Sequence, residues 1–347
     1  MGLGVSAADV VAFLRGDDSR GEASSESDQY AEWVTELDRL GAPAKEVALP
    51  DPAELGPLLD RLGVHADDAA DILATRFSAD SDPELWWLLQ RCHHTLEASM
   101  GDLHWEWLRW PHLPARLGAK GRFFYVHVFL AAIPTVLRYH EERHIPSDIS
   151  WATLADLGRQ IAIYRRIHAV GGLDVQFWFS LHFRGLIYDL GRLQFNRGTI
   201  SFTDEEIAAT NAPFRPGDTA LGVHIPESGP MTPQACDESF RRAREFYDRY
   251  FPEERYRYAV CSSWLLDPQL AEYLPADSNI VRFQRRFTLV PGGRDGDSDV
   301  FQFVFRKINP RIEDLPQRTT LERAIVDHLR SGRHWQVRSG WLVLDEQ

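Results

Sequence analysis

Thr219-Ala-Leu-Gly-Val-His-Ile-Pro226, Glu227-Ser-Gly-Pro-Met231 and Thr232-Pro233 decide how this chain is read. The first stretch is a short apolar run, the second a tight turn with a glycine, the third a helix start that runs to about Phe251. Thr232 suits an N-cap, and Pro233 suits the first helical turn, where its missing N–H costs nothing. A glycine-bearing turn at a helix N-terminus presents unpaired backbone N–H groups and the positive end of the helix dipole. Phosphate groups bind at such places. Beyond it, Tyr256–Leu266 reads as a second strand, Asp267–Leu274 as a short helix and Ile280–Val290 as a third strand.

Outward from this stretch the two ends differ. Residues 1–149 carry helical spacing throughout. Ser6 caps a first helix, Tyr30, Trp33, Val34, Leu37 and Leu40 line a second, and Gly121 to about His144 forms a long one that stops before Pro146. Residues 17–28, rich in Gly, Ser and acids, read as a loop. Trp105, Trp107 and Trp110 read as packing between helices. After the helix at Trp151–His168 the chain turns β-rich. Gln176–Phe183, Leu186–Phe195 and Thr199–Phe202 read as an antiparallel meander. Val281–Val290 and Val300–Phe305 read as a hairpin, Thr320–Leu329 as a helix and Trp335–Leu344 as the last strand. The fold class is α+β, with domains at 1–149 and 150–347.

Composition excludes several classes. A formal net charge of −13 over 347 residues argues against nucleic acid as a partner, since that binding rests on neutralising phosphates. Hydrophobic content of 44% with 12% aromatics supplies core for two domains and argues against disorder. Cys92, Cys236 and Cys261 are odd in number and far apart, so no disulfide framework or cysteine zinc finger is expected. No leader pattern opens the chain, and its most apolar stretch, Phe123–Leu137, is too short to span a bilayer. The expected setting is cytoplasmic, with no membrane partner.

On Trp151-Ala-Thr-Leu-Ala-Asp-Leu-Gly158, Gly191-Arg-Leu-Gln-Phe195, Val223-His-Ile-Pro226, Cys261-Ser-Ser-Trp-Leu-Leu-Asp-Pro268 and Ser278-Asn-Ile-Val-Arg-Phe-Gln-Arg-Arg-Phe287, the chain resembles bacterial acyltransferases with a helical N-terminal domain and a GNAT-like C-terminal domain. The resemblance implies a mixed, mainly antiparallel sheet flanked by helices. It also implies acyl transfer from acetyl-CoA or another acyl-CoA to an amine of a small molecule or peptide. The superfamily's phosphate turn reads Gln/Arg-x-x-Gly-x-Gly/Ala, whereas Glu227-Ser-Gly-Pro-Met-Thr232 keeps one glycine. A degenerate binding or scaffold module of the same fold is therefore the alternative.

In such a site Val223, Ile225, Gly229, Met231, Thr232, Cys236 and Arg241 would hold the cofactor, the strand amides polarising the thioester carbonyl. His224 is the candidate base for the amine proton, with Glu227 next. Tyr273 is the candidate acid for the departing thiolate. Cys261, Ser262, Ser263 and Trp264, at the end of the second strand, would line the acyl pocket. A Cys261 nucleophile would instead give an acyl-enzyme. The acceptor is expected between sheet and helical domain. One further motif, His140-Glu141-Glu-Arg-His144, spells H-E-x-x-H and would suit a zinc hydrolase, but Pro146 follows at once and no third ligand is evident. No metal is expected.

Overall fold

The computed structural model describes residues 4–16, 25–106 and 109–346. Trp107 and residues 17–24 of the expected loop lie outside them. Ser25 already belongs to a helix, so the loop reading fails for the last part of that stretch. The chain divides into two compact units, Met1–Leu186 and Ile187–Gln347.

The first unit is helical: α1 (Ala7–Arg15), α2 (Ser25–Leu40), α3 (Pro52–Arg61), α4 (Ala66–Ala74), α5 (Pro83–Ala98), α6 (Gly118–Glu142), α7 (Ser147–Leu154), α8 (Asp156–His168) and α9 (Gln176–Phe183). Ser6 and Asp9 close a capping box on α1, and Pro52 and Pro83 open α3 and α5 without losing a hydrogen bond. Residues 123–133 of α6 are buried all round, as befits a helix at the centre of a bundle. Trp110 stacks on Tyr125 at 5.4 Å, so this tryptophan is packing as read.

Gln176–Phe183 is α9 and not a strand. Its run of aromatics fits either period, and tertiary contacts decided between them. Phe179 and Phe183, four apart, meet Phe129 at ring distances of 5.3 and 4.7 Å. Leu154, Leu157 and Ile161 enter the same core. The first unit therefore runs on past the change of character near residue 149.

The second unit is built on β1 (Ile187–Asp189), β2 (Gln194–Thr199), β3 (Thr219–His224), β4 (Tyr258–Ser263), β5 (Thr288–Leu289), β6 (Arg294–Asp295) and β7 (Gln336–Val343). Sheet order is β1-β2-β3-β4-β7-β5, with β6 also on β7. Among the described residues only β3 and β4 run parallel; the other pairs are antiparallel. Its helices are α10 (Asp204–Ala209), α11 (Pro233–Tyr250), α12 (Asn279–Gln284), α13 (Asp297–Val300) and α14 (Thr320–Arg330).

The expected 281–290/300–305 hairpin is absent. Ser278 caps α12 by accepting from the Val281 amide, which turns the apolar run into a helix and leaves two residues for β5. Phe301–Phe305 is a π-helical turn continuing α13, with Phe303 half exposed. The meander also ends early, since β2 stops at Thr199. The predicted helix at 320–329 and last strand at 335–344 are present as α14 and β7. Among the described residues no helix is long and apolar enough to cross a membrane.

Candidate active site

β3 and β4 begin side by side and then part. Their register pairs are Leu221–Ala259 and Gly222–Val260, where the ladder between them ends. Each strand nonetheless continues, His224 keeping Gln194 on β2 and Ser263 keeping Arg338 on β7. A wedge therefore opens between the inner edges of two strands that stay anchored on their outer edges. Backbone N–H and C=O groups along such edges require partners. An extended chain carrying its own amides can supply them.

The parting strands expose two faces. Leu221, Val223, Ala259 and Cys261 lie on the face packed by α11, where Phe195 meets Phe240 and the Tyr247 hydroxyl donates to the Phe195 carbonyl. Gln194, Asn196, Gly222 and His224 lie on the other face, as alternation and register require. There the Asn196 side-chain oxygen sits 2.7 Å from His224 Nε2, while the Asn196 side-chain nitrogen donates to the Arg197 carbonyl at 2.9 Å. The second bond fixes the amide's orientation, so its oxygen must accept the Nε2 proton. In the neutral imidazole, Nδ1 is then the basic nitrogen. Gly222 is required between them, because an added Cβ would collide with the Asn196 oxygen.

Above the wedge, α11 starts as the sequence dictates, with the Thr232 hydroxyl accepting from Ala235 at 3.3 Å and Pro233 in the first turn. Gly229 holds φ +102°, a backbone conformation that side chains disfavour, and space around its missing Cβ is open. Ser239, fully buried about two turns further on, accepts from the Arg192 and Leu193 amides at 2.8 and 3.2 Å. That clamps the β1–β2 turn onto α11. Arg192 then reaches the Pro226 carbonyl at 3.0 Å, and its buried Nε has no partner among the described residues. Arg286 contacts Asp237 at 2.5 Å and the Pro233 carbonyl at 3.4 Å. Arg306 holds Glu227 at 2.5 Å. Three arginines from separate segments thus gather around the β3–α11 connection, two of them ion-paired with Asp237 and Glu227.

Sequence reasoning missed all three, because nothing local brings residues 192, 286 and 306 to one turn. Asn196 and Gln194 were visible only as polar residues alternating along Gln194-Phe-Asn196. Of the residues singled out, His224, Glu227, Gly229, Met231 and Thr232 are gathered by the β3–α11 connection, with Val223 and Ile225 on either side of His224. Met231 and Cys236 are buried. Arg241 is tied on the exposed side of α11 by Glu238 and Glu245, at 2.7 and 2.5 Å. Cys261 faces the core, and burial pushes its thiol up to about 12. Trp264 is core as well, Ser263 caps the turn that follows β4, and Ser262 meets Ser339 at 2.6 Å beside an open groove of about 300 Å³. Tyr273 lies 3.1 Å from His328 Nδ1 and beside Trp335.

The H-E-x-x-H motif does not form a helical pair. α6 ends at Glu142, and His144 lies beyond it at φ +59°. His140 is buried, with its pKa lowered to about 4 by that burial. Elsewhere in the first unit, His182 Nε2 lies 3.3 Å from Asp156 Oδ2, both fully buried, and Arg159 holds the other carboxylate oxygen at 2.6 Å. Despite the cost of its burial, the imidazole and guanidinium keep Asp156 well below the usual carboxylate range.

Two family models divide the chain between them: an N-acyltransferase N-terminal domain over residues 53–185 and a GNAT-like C-terminal domain over 187–342. They meet where the two compact units meet. No curated protein matches. Among solved structures, an acyltransferase in complex with CoA and 10C-teicoplanin is 44% identical, with a TM-score of 0.87 over 98% of this chain and 100% of that one. An acyltransferase in complex with decanoyl-CoA and teicoplanin is 44% identical at TM-score 0.86, again over 98% and 100%. An acyltransferase mutant in complex with octanoyl-CoA is 43% identical at TM-score 0.86, over 98% and 99%. The chain belongs to the acyl-CoA-dependent N-acyltransferases that join an N-acyltransferase N-terminal domain to a GNAT-like C-terminal domain.

Proposed function

We propose that this protein transfers a medium-chain acyl group from acyl-CoA to an amine of a teicoplanin-like acceptor in the cytoplasm. The parting of β3 and β4 directly beside His224 carries the reading, since it puts a wedge of backbone donors next to a base. Similarity to acyltransferases complexed with octanoyl- and decanoyl-CoA and with teicoplanin supports the chain length and the acceptor.

In this reading the α11 N-terminus, Arg192, Arg286 and Arg306 bind the pyrophosphate, and amides of Val223 and Ile225 hold the thioester carbonyl. His224 Nδ1 takes the amine proton as the C–N bond forms. Those amides then stabilise the oxyanion, the C–S bond breaks, and the thiolate is protonated by Tyr273. The products are an amide and free CoA.

A second candidate base is His182, a buried imidazole whose Nε2 lies 3.3 Å from the Asp156 carboxylate that Arg159 holds. Paired variants separate the two. With decanoyl-CoA and teicoplanin, His224→Ala is expected to lower kcat by about 10²–10⁴ with acyl-CoA binding intact. Full turnover in His224→Ala with loss in His182→Ala would transfer the role. Absence of any acylated teicoplanin by mass spectrometry with the wild-type protein would remove the acceptor assignment.

A further inference from the structure

Gln194 opens β2 directly across from His224, on the same face of the sheet. It is 1% exposed, yet neither its side-chain oxygen nor its side-chain nitrogen has a partner among the described residues. Its neighbours on that face do not behave this way. Asn196 bonds both His224 and the Arg197 carbonyl. An isolated buried amide costs about 1–3 kcal/mol for each group left unmade, so an empty pair beside a base calls for a molecule that completes it. Cross-strand side chains at this register stand roughly 5 Å apart at Cβ, which puts the Gln194 amide within reach of whatever His224 touches.

We infer that Gln194 is the residue that binds and orients the acceptor amine for His224. The inference rests on the proposed function, and the chemistry selects the acceptor over the thioester of the acyl donor. An amide of this kind presents one acceptor oxygen and two N–H donors. A thioester offers only acceptor atoms, so it would leave the Gln194 oxygen unpaired. An amine with an oxygen function beside it satisfies both ends. Gln194 Oε1 accepts one amine N–H, Nε2 donates to the neighbouring oxygen, and a second amine proton is left directed at His224 Nδ1. The class of acceptor is thus an amine with an adjacent hydroxyl or carbonyl oxygen, and a simple alkylamine is disfavoured.

The test compares wild type with Gln194→Met and Gln194→Glu, using decanoyl-CoA as donor and teicoplanin as acceptor. Decanoyl-CoA binding and thermal melting report folding. Gln194→Met keeps the side-chain length and removes both polar ends. It is expected to raise the acceptor KM at least about tenfold, with the acyl-CoA KM and Tm held or the Tm raised. Gln194→Glu keeps an acceptor oxygen, replaces the donor end by a second oxygen, and is expected to fall between. Unchanged acceptor kinetics in a stable Gln194→Met would overturn the inference and leave the amide a core group satisfied by water. An effect confined to the acyl-CoA KM would overturn it too, moving Gln194 to the donor. If His224→Ala keeps full turnover while Gln194→Met still loses the acceptor, the contact stands and the base assignment alone falls. No wild-type turnover of teicoplanin would sink the acceptor reading and this inference with it.

Discussion

The side-chain oxygen of Asn196 lies 2.7 Å from Nε2 of His224, across two adjacent strands and over a glycine. That contact sets which imidazole nitrogen is basic, and it exists only because residue 222 has no side chain. Gly222→Ala is therefore expected to lower kcat about tenfold or more without altering any polar group, because Asn196 must swing away. A pH–rate profile of Asn196→Ala should show its acidic limb displaced from wild type. An unshifted limb in both variants would separate this pair from catalysis.

The arginines around α11 make unequal predictions. Arg192 is clamped by the turn that Ser239 holds, and part of its guanidinium is buried without a partner. Arg192→Ala should raise the acyl-CoA KM by about tenfold or more, with the loss shrinking as salt rises. Arg241→Ala breaks only exposed ion pairs, worth about 0–1 kcal/mol, and should leave that KM within about twofold. Titrating CoA into both variants checks the contrast, and equal losses would return Arg241 to the phosphate site.

Cys261 faces the core with a thiol that stays protonated at neutral pH. Cys261→Ala should retain turnover at the cost of about 1 kcal/mol of stability from lost packing. No acyl-enzyme should appear by mass spectrometry after mixing wild type with decanoyl-CoA. A trapped thioester at Cys261 would replace the direct route by a two-step one.

Asp156 is buried between His182 and Arg159, and its folded carboxyl titrates lower than in the unfolded chain. Its contribution to stability is thus complete above the unfolded value of about 3.9 and is lost as pH falls through and below it. Asp156→Asn removes the buried carboxylate from between His182 and Arg159 and should cost about 3–5 kcal/mol. Urea denaturation between pH 3 and 7 should show the wild-type advantage narrowing toward the acid end. An advantage that widened there would overturn the assignment of the charged carboxylate.

Much of this protein was legible before any tertiary contact was known. Thr232 and Pro233 start α11 through local chemistry alone, and the strand before them follows from β propensity between two turns. Local signals also placed the helical first half and the last strand. They failed where an aromatic or β-branched run fits two periods. Phe129 drew Gln176–Phe183 into a helix, and Ser278 capped what read as a strand. Such choices depend on what lies opposite.

The site divides along the same line. His224, Glu227 and Gly229 belong to one continuous connection, so reading that connection found them together. Arg192, Asn196, Gln194, Arg286 and Arg306 reach it through strand register and loop packing, over separations no local pattern encodes. The sequence by itself determined a capped helix start after a glycine turn and a histidine on the strand before it. The tertiary structure decided that β3 and β4 separate just there and that an asparagine orients the imidazole. Pairing across strands is a property of the folded sheet, and no residue carries it alone.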